Sequence, residues 1–257
     1  MCVVTPSERL PVVARRRSRK APSVRAGRFA DRAEAGTLLA ERLERFRNAR
    51  PVVLGLPRGG VPVAYQVASA LDAPLDVIVV RKLGLPSQQE LAMGAIGEGG
   101  VRVLDHEVLD QSGVGEVGLA DIERRERQEL LVRLRRYRQG RERADFTGRM
   151  ALVVDDGVAT GSTAMVACRI ARLGGASSVV LAVPVVQAES RWLVRETDEV
   201  VAVEEPESLV AVGHHYVDFS PTSDDEVIEL VDWAAHRYGH ERWRAQSPDG
   251  DLAGSGR

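Results

Sequence analysis

The segment that most constrains this chain runs from Met150 to Thr163. An apolar run, Met150-Ala151-Leu152-Val153-Val154, enters Asp155-Asp156 and then the small-residue turn Gly157-Val158-Ala159-Thr160-Gly161. Ser162 and Thr163 open a helical pattern in which Ala164, Ala167, Cys168 and Ala171 share one face, and Gly174-Gly175 ends it. A short apolar run leading through a tight turn into a helix is one unit of an α/β fold, with the strand covered on both faces.

Similar units recur. The opening helix is expected from Phe29 to Phe46, with Leu38, Leu39, Leu43 and Phe46 at helical spacing. Pro51 to Leu56 reads as a strand, Pro57-Arg58-Gly59-Gly60 as a turn and Val61 to Leu71 as a helix. Val77 to Val80 is a second candidate strand, with short ones at Leu91 to Ile96 and Val101 to Leu104 around a mobile loop. Ser178 to Val186 and Glu199 to Val203 supply further strands. Ser223-x-x-Glu226 offers a capping box before a last helix that buries Val227, Leu230, Val231 and Ala234. The expected fold is α/β, a mostly parallel central sheet flanked by helices. A helical insertion at about 105–147 reads as an excursion from that sheet. In it Leu130, Leu134 and Tyr137 line one face, and Glu123/Arg127 and Glu129/Arg133 stand at pairing distance.

The turn after Val154 has the chemistry to hold a phosphorylated sugar. Backbone N–H groups at a helix start are unpaired and carry about half a positive charge, so a phosphate placed there gains hydrogen bonds and a favourable dipole. Thr160, Ser162 and Thr163 add hydroxyls, while Gly157 and Gly161 let the chain curl close to an anion. Asp155 and Asp156 can accept from sugar hydroxyls and help to hold a hard cation through oxygen. Spacing rejects other phosphate motifs. A P-loop needs four residues between its glycines and a Lys after the second, and Ser162 stands in that place. Adjacent rather than alternating aspartates argue against a phosphoaspartate hydrolase, and Gly97-Glu98-Gly99-Gly100 lacks the dinucleotide spacing. A serine nucleophile elbow is absent.

The stretch Val153-Val154-Asp155-Asp156-Gly157-Val158-Ala159-Thr160-Gly161-Ser162-Thr163 resembles the signature of type I phosphoribosyltransferases, which bind 5-phosphoribosyl-1-pyrophosphate (PRPP). The likeness spans about Phe29 to Trp233. It implies a Mg²⁺-dependent transferase that moves the 5-phosphoribosyl group to a nitrogen nucleophile, a nucleobase by preference, within purine or pyrimidine salvage. It further implies that Asp155 and Asp156 hold the ribose and, directly or through water, the metal, while Ala159 to Thr163 hold the 5-phosphate. Gly55-Leu56-Pro57-Arg58-Gly59-Gly60 resembles the family's pyrophosphate loop, with Arg58, Gly59 and Gly60 facing the leaving group. Arg81 to Glu98 stands where the family keeps a loop that closes over its substrates. Lys82 is one of only two lysines, the other being Lys20, and its rotatable ammonium suits a phosphate oxygen that moves during reaction. Gly213-His214-His215-Tyr216-Val217-Asp218-Phe219 is the candidate hood, in which His215, Tyr216 and Phe219 are the expected acceptor contacts.

Charge and composition set the partners. Apolar content of 44% and charged content of 28% fit a soluble globular chain, and no apolar run reaches the roughly 18 residues of a membrane span. Two cysteines and no secretory signal point to a cytoplasmic, reducing compartment. Residues 1–28 form a basic tail, 29–243 the transferase domain with its hood and last helix at about 213–239, and 244–257 a second tail. The basic tail reads as solvated rather than as a nucleic-acid or membrane contact. PRPP and a small-molecule acceptor are the expected partners, with a homodimer as a possible assembly. The rival from another class is a non-catalytic PRPP or nucleotide sensor with an RNA or protein partner. Arg58 and Lys82, aimed at a leaving pyrophosphate, favour catalysis.

Overall fold

A computed structural model describes residues 27–85, 88–159, 161–189 and 196–238. Thr160 and most of the two expected tails lie outside the described residues. Arg28, placed by sequence in the first tail, donates to the Tyr216 carbonyl.

The central sheet is parallel and five-stranded. Its strands are β1 (Val52–Gly55), β2 (Leu75–Val77), β6 (Met150–Val154), β7 (Ser178–Val185) and β8 (Glu199–Glu204), in the order β2-β1-β6-β7-β8. Alternate residues of these strands enter opposite cores, as a two-residue period dictates. Val52, Leu54, Ala151 and Val153 join Ala164, Ala167, Cys168 and Ala171 of α5 (Ser162–Leu173) on one face. Val53, Leu152 and Val154 meet α1 (Arg32–Leu43), α2 (Gly60–Leu71) and Ala234 of α6 (Asp224–Tyr238) on the other. The first helix starts later than its apolar spacing alone suggests, because Asp31 caps it by accepting from the Glu34 amide at 2.8 Å.

The second strand differs from expectation. It occupies Leu75–Val77 rather than Val77 to Val80, because parallel pairing with β1 runs from Val53↔Leu75 to Gly55↔Val77 and ends where β1 ends. Ile78 gives one last amide to the Gly55 carbonyl. The chain then leaves for a separate antiparallel sheet of β3 (Arg81–Leu85), β4 (Gln88–Ile96) and β5 (Arg102–Leu104). The stretch read as a mobile loop is thus largely a paired hairpin.

The helical insertion, α3 (His106–Ser112) and α4 (Glu116–Arg138), is docked rather than splayed out. Leu130, Leu134 and Tyr137 of α4 pack with Leu83, Leu85 and Met93 of the hairpin and with Val227 and Val231 of α6. Several of its charges pair with other elements. Neither expected i,i+4 pair is among the ion pairs of the described residues; Glu123 meets Arg102, and Glu126 meets Arg81 of β3 instead. Arg138, 6% exposed, lies against Asp76 of β2, 4% exposed, with its Nε 2.9 Å from Oδ1. The second Asp76 oxygen accepts the Ala144 amide at 2.8 Å, so this buried carboxylate is fully engaged. Among the described residues, no helix is long and apolar enough to cross a membrane.

Candidate functional site

In an open parallel sheet, ligands collect outside the carboxyl ends of the strands where the connections turn in opposite directions. Here β1 leads through α2 to β2 on one side, and β6 leads through α5 to β7 on the other. The crevice therefore opens between the ends of β1 and β6. The turn Pro57-Arg58-Gly59 and the acids Asp155-Asp156 are the chain's continuation from those two strands.

The two segments touch. A Cβ on Gly59 would lie 2.0 Å from Asp156 Oδ2, and one on Gly60 would lie 2.7 Å from the Val154 carbonyl and 2.8 Å from Asp155 Cα. Only hydrogen at these two positions lets the first turn nest against the acids. The Pro57–Arg58 peptide is cis. Arg58 itself is exposed, and its charge acts on the Tyr137 hydroxyl of α4.

Both carboxyl groups resist ionisation. Burial, then the neighbouring Asp156 charge, raises Asp155 well above the usual carboxylate range, and burial also raises Asp156. Arg32, from the first turn of α1, opposes this with its Nε 2.9 Å from Asp156 Oδ2. Its guanidinium also donates to the Ser220 carbonyl at 2.7 Å and lies 4.0 Å from the centre of the Phe219 ring. Sequence reasoning missed Arg32. It carries no motif, and the 124 positions between it and Asp156 are bridged only by the fold.

Beyond the acids, Val158 pairs in parallel with Val186. A Cβ on Gly157 would meet Val212 Cγ1 at 2.5 Å, so this glycine serves close approach of the hood. Gly161 takes φ +71° at the start of α5, a left-handed conformation that glycine adopts without a steric cost. The first-turn amides of α5 have no intrahelical partners, and no side chain caps them. Ser162 is exposed and Thr163 half-buried, both beside Ala159 and Gly161. The expected anion cradle thus stands at the same end of the sheet as the two acids, except for Thr160, which is outside the described residues.

The hood requires one correction. Tyr216 was expected to stack on an acceptor, but it is fully buried between Phe29, with ring centres 5.3 Å apart, and Phe219, at 4.9 Å. Its hydroxyl donates to the Asp156 carbonyl at 2.6 Å, and burial, then the Asp156 charge, pushes its pKa far up. Tyr216 can therefore offer no face to a ligand; it anchors the acid turn. Phe219 is half-buried, with the Arg32 guanidinium over its ring. His215 Nδ1 lies 2.8 Å from Glu204 Oε2 at the end of β8, a pairing that sequence spacing did not disclose. Lys82 is exposed on β3, in register with Ala95, and no hydrogen bond or ion pair joins it to the acids.

Comparison with known proteins agrees with this geometry. The sequence model of the family described as "Phosphoribosyl transferase domain" matches residues 30–217. Two curated proteins of Mycobacterium tuberculosis, from strains CDC 1551 / Oshkosh and H37Rv, both provisionally named phosphoribosyl transferase, are 51% identical over 211 residues. That match covers 81% of this chain and 47% of each relative, so the chain spans about half the length of the curated relatives it matches. The crystal structure of TT1426 from Thermus thermophilus is 43% identical, with a TM-score of 0.71, covering 79% of this chain and 97% of that one.

Proposed function

The chain belongs to the phosphoribosyl transferase domain family, and from that premise we propose that it transfers the 5-phosphoribosyl group of Mg²⁺–PRPP to a nitrogen nucleophile, releasing pyrophosphate. The observation that carries this reading is the nesting of Gly59 and Gly60 against Asp155 and Asp156 at the β1/β6 crevice. It brings the Pro57–Gly60 turn, two carboxyl groups and an uncapped helix start to one end of one sheet, which supports a site for a phosphorylated sugar.

In this mechanism the amides from Ala159 to Thr163, with the hydroxyls of Thr160, Ser162 and Thr163, hold the 5-phosphate. Asp155 and Asp156 accept hydrogen bonds from the ribose hydroxyls. Burial raises both pKa values, and a cation arriving with the substrate would oppose that shift and favour the charged forms. The donor set suits an ion carried by PRPP rather than one caged by protein. Among the described residues, no three or more His, Cys, Asp or Glu cluster as metal ligands, and Mg²⁺ commonly uses one or two carboxylates with water and substrate phosphate oxygens. When bound, the ion neutralises charge on the pyrophosphate oxygens.

Displacement at the anomeric carbon builds negative charge on the leaving pyrophosphate, and Arg58, Lys82 and the Gly59 and Gly60 amides are the groups assigned to receive it. The β3–β4 hairpin, closing with Lys82, would exclude water from the reacting carbon. His215, oriented by Glu204, and Phe219 form the acceptor side, and a nucleobase in salvage is the acceptor class proposed. Pyrophosphate release from PRPP should be measured across a panel of purines, pyrimidines and small amines. Release with one planar base, abolished by Asp155→Asn with Asp156→Asn, is the expected result. No release with any acceptor, or ribose 5-phosphate bound in a crystal away from the β1/β6 crevice, would overturn the reading.

A further inference from the structure

At the opposite end of the sheet, where β6 and β7 begin, lies a second cleft. A cavity of about 290 Å³ is lined by Ala49, Arg50, Gly148, Arg149, Ser177 and Ser178, with Met150 at its wall. Its polar lining is cationic and hydroxylic, without a carboxylate. Arg149 is half-buried and held by carbonyls rather than by an acid: one terminal nitrogen donates to the Arg50 carbonyl at 2.9 Å and the other reaches the Asp145 carbonyl at 3.5 Å. A guanidinium has five N–H donors, so three remain for another acceptor.

The nearest acid acting on Arg149 is Asp145, whose carboxyl already accepts from the Thr147 amide at 2.9 Å and makes no salt bridge with Arg149. Burial and the Arg50 charge both disfavour the charged form of Arg149. Among the described residues, the Arg50 guanidinium has neither a carboxylate partner nor a hydrogen bond, and no partner is assigned to the hydroxyls of Ser177 and Ser178. Arg50 is held at this rim by its backbone: it closes the turn after α1 in a left-handed conformation, φ 50°, with its amide bonded to the Arg47 carbonyl. Two arginines in one cleft, neither in a salt bridge among the described residues, beside two hydroxyls with donors to spare, suit one oxyanion, which would gain charge-assisted hydrogen bonds from the half-buried Arg149.

We propose that this cleft between Arg50 and Arg149 binds a phosphate-bearing anion, at a site separate from the β1/β6 crevice. The separation follows from topology. Met150 and Ser178 start their strands, whereas Asp155 follows the end of β6, on the order of 15 Å away at about 3.3 Å per residue. Arginine's planar fork matches phosphate oxygens bidentately, and the cavity has room for a phosphoryl group with part of the molecule that bears it.

Amide chemical shifts of the ¹⁵N-labelled chain, titrated with inorganic phosphate and separately with adenosine monophosphate, test the proposal site by site. The amides of Gly148, Ser177 and Ser178 should move saturably with one or both probes. Tighter saturation by the nucleotide assigns a nucleotide ligand, and the reverse assigns free phosphate. Arg50→Glu should weaken saturation at these amides at least tenfold while leaving shifts at Ser162 to Ala164 as in the wild type. Arg149→Gln should act likewise, and should it fail to fold, Arg50→Glu remains decisive because that side chain supports no other described residue. Unmoved amides at Gly148, Ser177 and Ser178 in the wild type, or unchanged saturation in Arg50→Glu, would overturn the proposal without touching the transferase reading.

Discussion

Gly59 is where a single methyl group would do most harm to the crevice. Its φ of −62° suits any residue, so the constraint is proximity alone: a Cβ would displace the Asp156 carboxyl and the Arg32 guanidinium that holds it. Gly59→Ala is expected to fold yet lose on the order of 100-fold in kcat/KM for pyrophosphate release, since ångström-scale misplacement of a reacting group costs about that much. Circular dichroism of the variant checks the first half and steady-state kinetics the second. The two acids carry the opposite trade. A carboxyl whose folded pKa is raised binds its proton more tightly in the native state, so native stability falls as pH rises from the ordinary value of 3.8 towards the raised one. Asp155→Asn should therefore raise Tm at pH 7 in the ligand-free protein, at about 2–4 °C per kcal/mol for a chain of this size, while removing PRPP binding. It should also flatten the decline of Tm with pH above 4. Thermal melts across pH, with calorimetry for PRPP, would contradict this if the variant melted lower at neutral pH.

Among the elements, the ones written in short-range pattern were readable. The strand Met150–Val154 and the helix face of Ala164, Ala167, Cys168 and Ala171 need only their own residues to be recognised, because both faces of that strand are buried and the turn glycines mark its end. The β3–β4 hairpin was not readable as such. Arg81-Lys82-Leu83-Gly84-Leu85 has no strict alternation, and its pairing is broken by register shifts around Gly84. What stabilises it is Leu83 and Leu85 packed under α4, together with Arg81 paired to Glu126, contacts whose partners lie tens of residues away. At the site the same division holds. Asp155, Asp156 and the turn glycines announced themselves, while Arg32, Glu204 and the true task of Tyr216 are set by tertiary approach. Lys82 rides on this hairpin with its side chain exposed, and the role proposed for it is open to test. Lys82→Ala should lower kcat by about 10–100-fold with a smaller change in KM for PRPP, as expected for an interaction made chiefly in the transition state. Unchanged turnover would remove Lys82 from the mechanism.

Across the whole molecule, the helical insertion is bound to the sheet by a buried charge pair. Arg138 reaches Asp76 on β2 and Glu98 beyond β4, and although burial disfavours its charge, the two acids more than offset that and raise its pKa. Removing only the cation would leave Asp76 buried and uncompensated, at a cost of about 3–5 kcal/mol. Arg138→Met should show that loss in urea unfolding, and a variant as stable as wild type would mean that the insertion is held by its apolar face alone. The hood adds a constraint of a different kind. Phe29 pairs with Tyr216, and Tyr216 anchors the Asp156 carbonyl, so residues far apart along the chain meet under the acid turn. During synthesis on the ribosome, a chain elongated only through β8 would already own the turn after β1 and the acids after β6, yet lack the tyrosine that fixes them. The acid turn would gain its anchor late, when the stretch around position 216 clears the exit tunnel.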